Sequence, residues 1–271
     1  MRVRVAILMV VLGLSALGLL YAQKPFRQYQ AAEYIDFPLP ADWQNPAEFT
    51  RARLKYHAAG AVHGRNDVGG GALAWTIDYP RTDRHFLEGM RRLTRLDARS
   101  VEQVVELDNS DDIYNWPFLY AVEVGHWTLN DEEADQLRDY FLRGGFMMTD
   151  DFHGTLEWEV FMEGLHKVFP DRPVVDIDNK DSIFHVIYDL DARYQVPGAQ
   201  YLYSGSKYEY DGFDAKWRGV YDEKGRLMTG ICHNMDLGDA IEWSDDPRYP
   251  EQYSALAYRI AVNYVMYDLT H

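Results

Sequence analysis

A single cysteine, Cys232, in 271 residues rules out an internal disulfide. A chain of this kind must hold together by its core, and about 250 residues suffice to form one. Basic residues are also scarce: 27 Lys and Arg stand against 43 Asp and Glu, a net charge of −16 at pH 7. A field of that sign repels phosphate backbones and anionic lipid, which excludes nucleic acid as a partner. No G-x-S-x-G turn is present to raise a nucleophilic serine. The glycine-rich stretch HAAGAVHGRNDVGGG (57–71) lacks the Gly-Lys-Ser/Thr of a P-loop and leads into an apolar run, not a helix. It predicts a flexible loop, and His57, His63 and Asn66 suit it to cover a site. Internal repeats and low-complexity tracts are absent, leaving one large domain or two small ones.

The N-terminus carries a different message. Arg2 and Arg4 precede the uncharged run VAILMVVLGLSALGLL (5–20), followed by Tyr21-Ala22-Gln23. A basic start, an apolar stretch and a small residue make a secretory signal. Leu20 occupies a position where a small residue is preferred, so an uncleaved membrane tether through residues 5–22 is the second reading. Either one exports the remainder, to the periplasm or to the outer side of a membrane. Without residues 1–22 the chain has 25 basic and 43 acidic residues, a net of −18. Pro25, Pro38, Pro40 and Pro46, among few periodic apolar residues, mark 23–48 as a tether to a folded domain at 49–271.

Within that domain FTRARLKY (49–56) alternates as a strand does, and ALAWTIDYP (72–80) predicts a short buried strand. Thr82 would cap a helix over 83–97, with Phe86, Met90 and Leu93 on one face. VEQVVELD (101–108) and PFLYAVEV (117–124) predict further strands. Asn130 and Glu133 have capping-box spacing before a helix that stops at Gly144-Gly145. FMMTDD (146–151) predicts a strand and 155–169 a helix. VVDID (174–178), FHVIYDL and QYLYSG predict short extended pieces, 217–234 a hairpin, and 254–270 a last amphipathic helix. Alternating strands and helices predict an α/β fold, a mostly parallel sheet with helices on both faces.

Right-handed crossovers gather the strands' carboxyl ends on one edge, where ligand sites of such sheets lie. The expected strands end in titratable residues: Asp78; His126; Asp150, Asp151 and His153; and His233, Asn234 and Asp236. These eight are the ligand-binding candidates. In FMMTDDFHG (146–154) Asp151 and His153 would share one face and Asp150 the other. One of the three can cap the helix at 155, but a helix start needs only one or two side-chain acceptors, so the rest are available for chemistry. The sharpest chemical reading is a divalent metal held by Asp151, His153 and His233, with Asp150 as general base to a bound water. The competing reading is a hydrogen-bonded network closing the sheet edge. Cys232 adjoins His233, yet strand neighbours face opposite sides, so it predicts a small buried residue. Asp239 and Glu242 in LGDAIEW have capping-box spacing.

The blocks WTIDYPRTDRHF, RGGFMMTDDFHG and ICHNMDLGDAIEW, with the ending YSALAYRIAVNYVMYDLTH, resemble the bacterial domain-of-unknown-function family 4159, from about residue 49 to the end. That family is similar to the class I glutamine-amidotransferase-like superfamily, which implies a flavodoxin-like sheet. It is also similar to the ThuA-like branch, whose strand-ending histidine near a tryptophan would here be His233 and Trp243. The amidotransferase nucleophile sits on a G-x-C-x-G elbow; here the cysteine lies in GICHN, with Asn234 in place of the second glycine. The resemblance therefore does not carry glutaminase activity across. Some members lie behind membrane spans, near MoxR-type ATPases and von Willebrand A-like proteins, which implies an envelope protein complex. The leading expectation is a non-enzymatic ligand- or protein-binding module of the envelope; the alternative is a metal-assisted hydrolase of an envelope sugar or peptide.

Overall fold

The computed structural model describes residues 24–60, 62 and 72–271. The signal or anchor expected at 1–22, and His63 and Asn66 of the glycine-rich loop, lie outside these residues. Among the described residues no helix is long and apolar enough to cross a membrane.

The strands are β1 (Ala52–Lys55), β2 (His57–Ala58), β3 (Gln103–Glu106), β4 (Phe118–Val122), β5 (Trp127–Thr128), β6 (Phe146–Asp150), β7 (Val175–Asp176), β8 (Lys216–Tyr221) and β9 (Leu227–His233). Seven of them form one sheet in the order β3-β1-β4-β6-β9-β8-β7. The first five neighbours in that order are parallel; β8 runs antiparallel to β9, and β7 to β8. β2 and β5 pair as a separate antiparallel ribbon. The helices are α1 (Arg81–Leu93), α2 (Asp131–Leu142), α3 (Gly154–Val168), α4 (Gln200–Ser204), α5 (Leu237–Glu242) and α6 (Glu251–Asp268).

Strand β4, FLYAV, shows why the sheet is covered on both sides. Phe118, Tyr120 and Val122 enter a core shared with Phe86 and Met90 of α1 and Tyr253 and Ile260 of α6. Leu119 and Ala121 enter the opposite core, with Leu137 and Phe141 of α2 and Phe161 and Leu165 of α3. A strand buried on both faces has no polar position to spare, hence the unbroken apolar run. The box predicted at Asn130 forms: Glu133 N donates to Asn130 Oδ1 at 2.9 Å, and Asn130 N to Glu133 Oε2 at 2.8 Å. Gly144, at φ +112°, ends that helix, and the hairpin at 217–234 forms as β8 and β9.

Several expectations give way, among them the extended piece FHVIYDL, which forms no strand. Residues 72–80 are not a strand; Ala74–Thr76 make a 3-10 turn with Trp75 buried. The carbonyls of Trp75 and Ile77, which a ladder would have used, accept from Arg53 Nη1 at 3.0 and 3.1 Å. QYLYS folds as α4 in place of an extended piece. Thr82 does not cap α1; it lies inside the helix and its Oγ1 donates to the Gly238 carbonyl at 2.9 Å. The strand expected in 49–56 forms as β1, with Arg51 and Arg53 fully buried and Arg53 Nε 2.9 Å from Asp83 of α1.

The segment expected as a tether forms no helix or strand over 24–48, but it lies along the domain. Ala31 is buried, Phe26 packs on Trp43, and Ala32 N donates to Thr76 Oγ1 at 3.0 Å.

Candidate functional site

The carboxyl edge of the parallel strands carries a cleft of about 340 Å³, the position at which such sheets bind ligands. Its floor is built by the turns that end β4 and β6, by the start of α5 and by the loop that precedes α1.

At β6 the chain turns at Asp151, φ +53°, so the strand does not continue. Asp151 and His153 nevertheless meet: His153 Nε2 donates to Asp151 Oδ1 at 3.1 Å. Neither side chain caps α3. Gly154 N donates to Asn234 Oδ1 at 2.8 Å, Thr155 N to Asp211 Oδ1 at 2.9 Å, and His153 N to Glu157. With the orphan donors of the helix start served from elsewhere, both residues are left to line the cleft.

Asp150 points away. Its Oδ2 accepts from Tyr120 Oη at 3.2 Å and from Gly238 N at 2.8 Å, so it fastens the start of α5 to the sheet. His233 is likewise committed. Its Nε2 donates to the Gly154 carbonyl at 3.1 Å, Nδ1 faces Arg218 Nη1 at 3.5 Å, and the ring packs between Phe152 and Trp158. A nitrogen that donates to a carbonyl carries its proton and has no lone pair for a metal. The expected set of Asp151, His153 and His233 thus does not surround one point, and Asp150 does not face the cleft. Asn234 is a capping residue at φ +63°, with Nδ2 donating to the Asp214 carbonyl at 2.8 Å.

Asp78, His126, Asp151, His153 and Asp236 do come together, and residues that sequence reasoning passed over join them. One ligand atom from each of Asp78, Asp151 and Asp236 lies within 4.8 Å of the others. The same holds for Glu33, Asp78 and Glu242, and for Glu123, His126 and Glu157. In the last group His126 Nε2 is 3.4 Å from Glu123 and 3.5 Å from Glu157. Asp236 also caps α5, accepting from Asp239 N at 2.6 Å. The chain at Gly198 passes so close that a Cβ there would stand 2.3 Å from Asp236 Oδ2 and would displace that carboxylate. Asp78 sits at φ +60°; its N–H donates to Glu33 Oε2 at 3.0 Å, and its own Oδ2 is buried without a partner among the described residues. His153 Nδ1 is buried in the same state.

Eight carboxylates line this cleft, with two histidines and neither Lys nor Arg. The protonation equilibria register the imbalance. Burial first, then the fields of neighbouring carboxylates, hold Asp78 and Asp236 well above the usual carboxylate range. Burial lifts Asp151 to about 7 against the pull of His153. For His153 burial opposes the charge, but the bond to Asp151 and the fields of Glu209, Asp151 and Glu157 outweigh it, raising the imidazole to about 9. Burial and Asp239 push Glu242 to about 9. Cys232 is buried in β9, and burial drives its thiol up, the opposite of an activated nucleophile.

Of the residues passed over, Glu157 and Asp239 stand in helix first turns and look like caps; Glu123 directly follows β4, and its place at a strand end was a usable signal. Glu33 carries none, lying in an irregular proline-rich stretch. His57 stays outside the cleft, paired through Nδ1 with Glu133 at 2.7 Å.

A family model described as a domain of unknown function, DUF4159, matches residues 52–269, and the chain belongs to that family. No curated protein matches it.

Proposed function

We propose that this DUF4159 protein is a divalent-cation-dependent hydrolase of the cell envelope, acting on a sugar or peptide linkage. The observation that carries the reading is the convergence of Asp78, Asp151 and Asp236, from three separate segments, on a point within reach of one ion. Oxygen-only ligands suit a hard cation, calcium, manganese or magnesium, better than zinc. Their oxygens all lie within 4.8 Å of one another, a span that two calcium–oxygen bonds of about 2.4 Å can bridge. Beside it His153 has a buried Nδ1 with no partner among the described residues, and Asp151 favours its protonated form.

A bound cation would lower the pKa of a coordinated water and polarise the scissile group. His153 would then hand its Nδ1 proton to the leaving group. The missing nucleophile, which favoured a module that only binds, is no obstacle once water is the nucleophile. Export is supported by the pattern of residues 1–22, which also makes a periplasmic or outward-facing position and an envelope complex the natural setting. The flavodoxin-like, amidotransferase-like reading of the fold is supported by the five parallel strands, whose order by chain position is 2-1-3-4-5.

The test is release of product from isolated envelope material and from chromogenic glycosides and peptides, with manganese or calcium and with chelator. Turnover that chelator abolishes, and that His153→Gln lowers about 100-fold or more, is the expected result. A cation-loaded protein that releases nothing overturns the hydrolase and leaves the binding module.

A further inference from the structure

Residues 24–48 lie outside the family match at 52–269, yet through Glu33 they line the cleft. The segment is pinned at successive points: Tyr29 N donates to Tyr79 Oη at 3.2 Å, Ala31 is buried, Ala32 N donates to Thr76 Oγ1 at 3.0 Å, and Tyr34 Oη donates to Glu242. Between these points Glu33 is held at the cleft by the Asp78 N–H, at 3.0 Å from Oε2. One oxygen each from Glu33, Asp78 and Glu242 lies within 4.8 Å of the others, and Asp78 also belongs to the group with Asp151 and Asp236.

We propose that this segment is a strap that completes the cation centre: Glu33 is a ligand to a second hard divalent cation, shared with Asp78 and Glu242, and cation occupancy fastens the strap to the domain. The inference rests on the reading of the cleft as a cation site. Its independent pointer is the Asp78 carboxylate, 1% exposed, with Oδ2 bonded to nothing among the described residues. A carboxylate common to two ligand groups is how two-metal centres hold ions about 3.5–4 Å apart. No Lys or Arg lines the cleft: Arg53, whose field reaches Glu33 and Asp78, is committed to Asp83 and to the Trp75 and Ile77 carbonyls, and Arg81 is bonded to Tyr34 Oη at 3.3 Å and Asp245 at 2.7 Å and laid on the Trp243 ring. Because the strap leads directly to the apolar segment at 5–20, cation loading would tie the catalytic edge to whatever holds the N-terminus.

Terbium, a luminescent substitute for calcium, tests this in the full-length protein. Trp243 lines the cleft and can sensitise it. The expected result is two terbium ions per chain in the parent and one in Glu33→Gln. Trypsin cleavage after the exposed Arg27 should slow about fivefold or more on saturation, because only the docked strap carries all the ligands; Glu33→Gln and Glu242→Gln should both lose this protection. Glu33 is exposed, so its variant tests the ligand without disturbing the core. One ion per chain in both proteins overturns the second site and leaves the first. Two ions in both, or protection unchanged in Glu33→Gln, overturns the role of the strap. No ion in either overturns the cation reading itself.

Discussion

Two clusters of buried charge lie within one turn of chain from each other, and they are built on opposite plans. Beneath the sheet edge, Arg51 and Arg53 share Asp83: Arg53 Nε is 2.9 Å from one of its oxygens and Arg51 Nε 3.5 Å from the other. The Arg51 guanidinium also lies 3.4 Å over the Tyr120 ring, and Arg53 serves two main-chain carbonyls. Above the edge, Asp78, Asp151 and Asp236 converge with neither Lys nor Arg along the cleft. The lower cluster holds both signs: two guanidinium groups face the carboxylate of Asp83, with the fields of Asp78 and Asp150 behind it. The upper one has no basic side chain along its lining, so protons or an added cation offset most of its charge. Burying like charges without a counter-ion is costly, and the comparison teaches which cluster holds the fold and which awaits a ligand.

The largest expected effect breaks the lower cluster. Asp83→Asn leaves two buried guanidinium groups without their carboxylate and should lower unfolding free energy by about 3–5 kcal/mol, measured by urea denaturation. In the upper cluster the sign reverses. With chelator present, Asp236→Asn should leave stability unchanged or raised, since asparagine can still cap α5 while one repelling charge is gone. Calcium or manganese at about 100 times its Kd should then stabilise the parent by about 2.7 kcal/mol and the variant much less. A variant destabilised in chelator would place Asp236 with the structural charges.

Smaller effects sharpen the division between residues that line the cleft and those that support it. Asn234→Ala removes the acceptor for Gly154 N and the donor to Asp214 and should cost about 1–3 kcal/mol, with the cation affinity little changed. His233 gives its signal in pH. Burial depresses its folded pKa to about 4 from 6.5. Its contribution is therefore present above pH 6.5 and lost as pH falls through 4, because the unfolded chain takes the proton first. His233→Asn should flatten the loss of urea stability between pH 6.5 and 4; parallel curves would contradict the buried neutral imidazole.

How much of this was legible follows from which residues obey a local rule. The alternation of apolar strands with the boxed helix at Asn130 fixes the α/β pattern, because period and capping are local. The strand ends at His126 and Asp151 point to the edge that carries the cleft because crossover handedness places them there. Asp150, Asp151 and His153 look alike in sequence, yet only the turn at Asp151 and the remote caps Asn234 and Asp211 decide which face the cleft. Residues 72–80 imitate a strand because 74–80 are buried, and nothing local shows that Arg53 takes the carbonyls of Trp75 and Ile77. Glu33 is invisible for the same reason: its place depends on a segment with no periodicity, pinned by contacts more than 40 residues away.

The most direct test is a calorimetric titration of the chelator-stripped, full-length protein with calcium and with manganese, beside Asp236→Asn. A saturable isotherm for at least one ion in the parent, weakened about tenfold or more in the variant, is the predicted result. An absence of saturable binding up to millimolar ion, or equal affinity in the two proteins, would contradict the cation site and return the acidic cleft to a set of protonated, structural carboxyls.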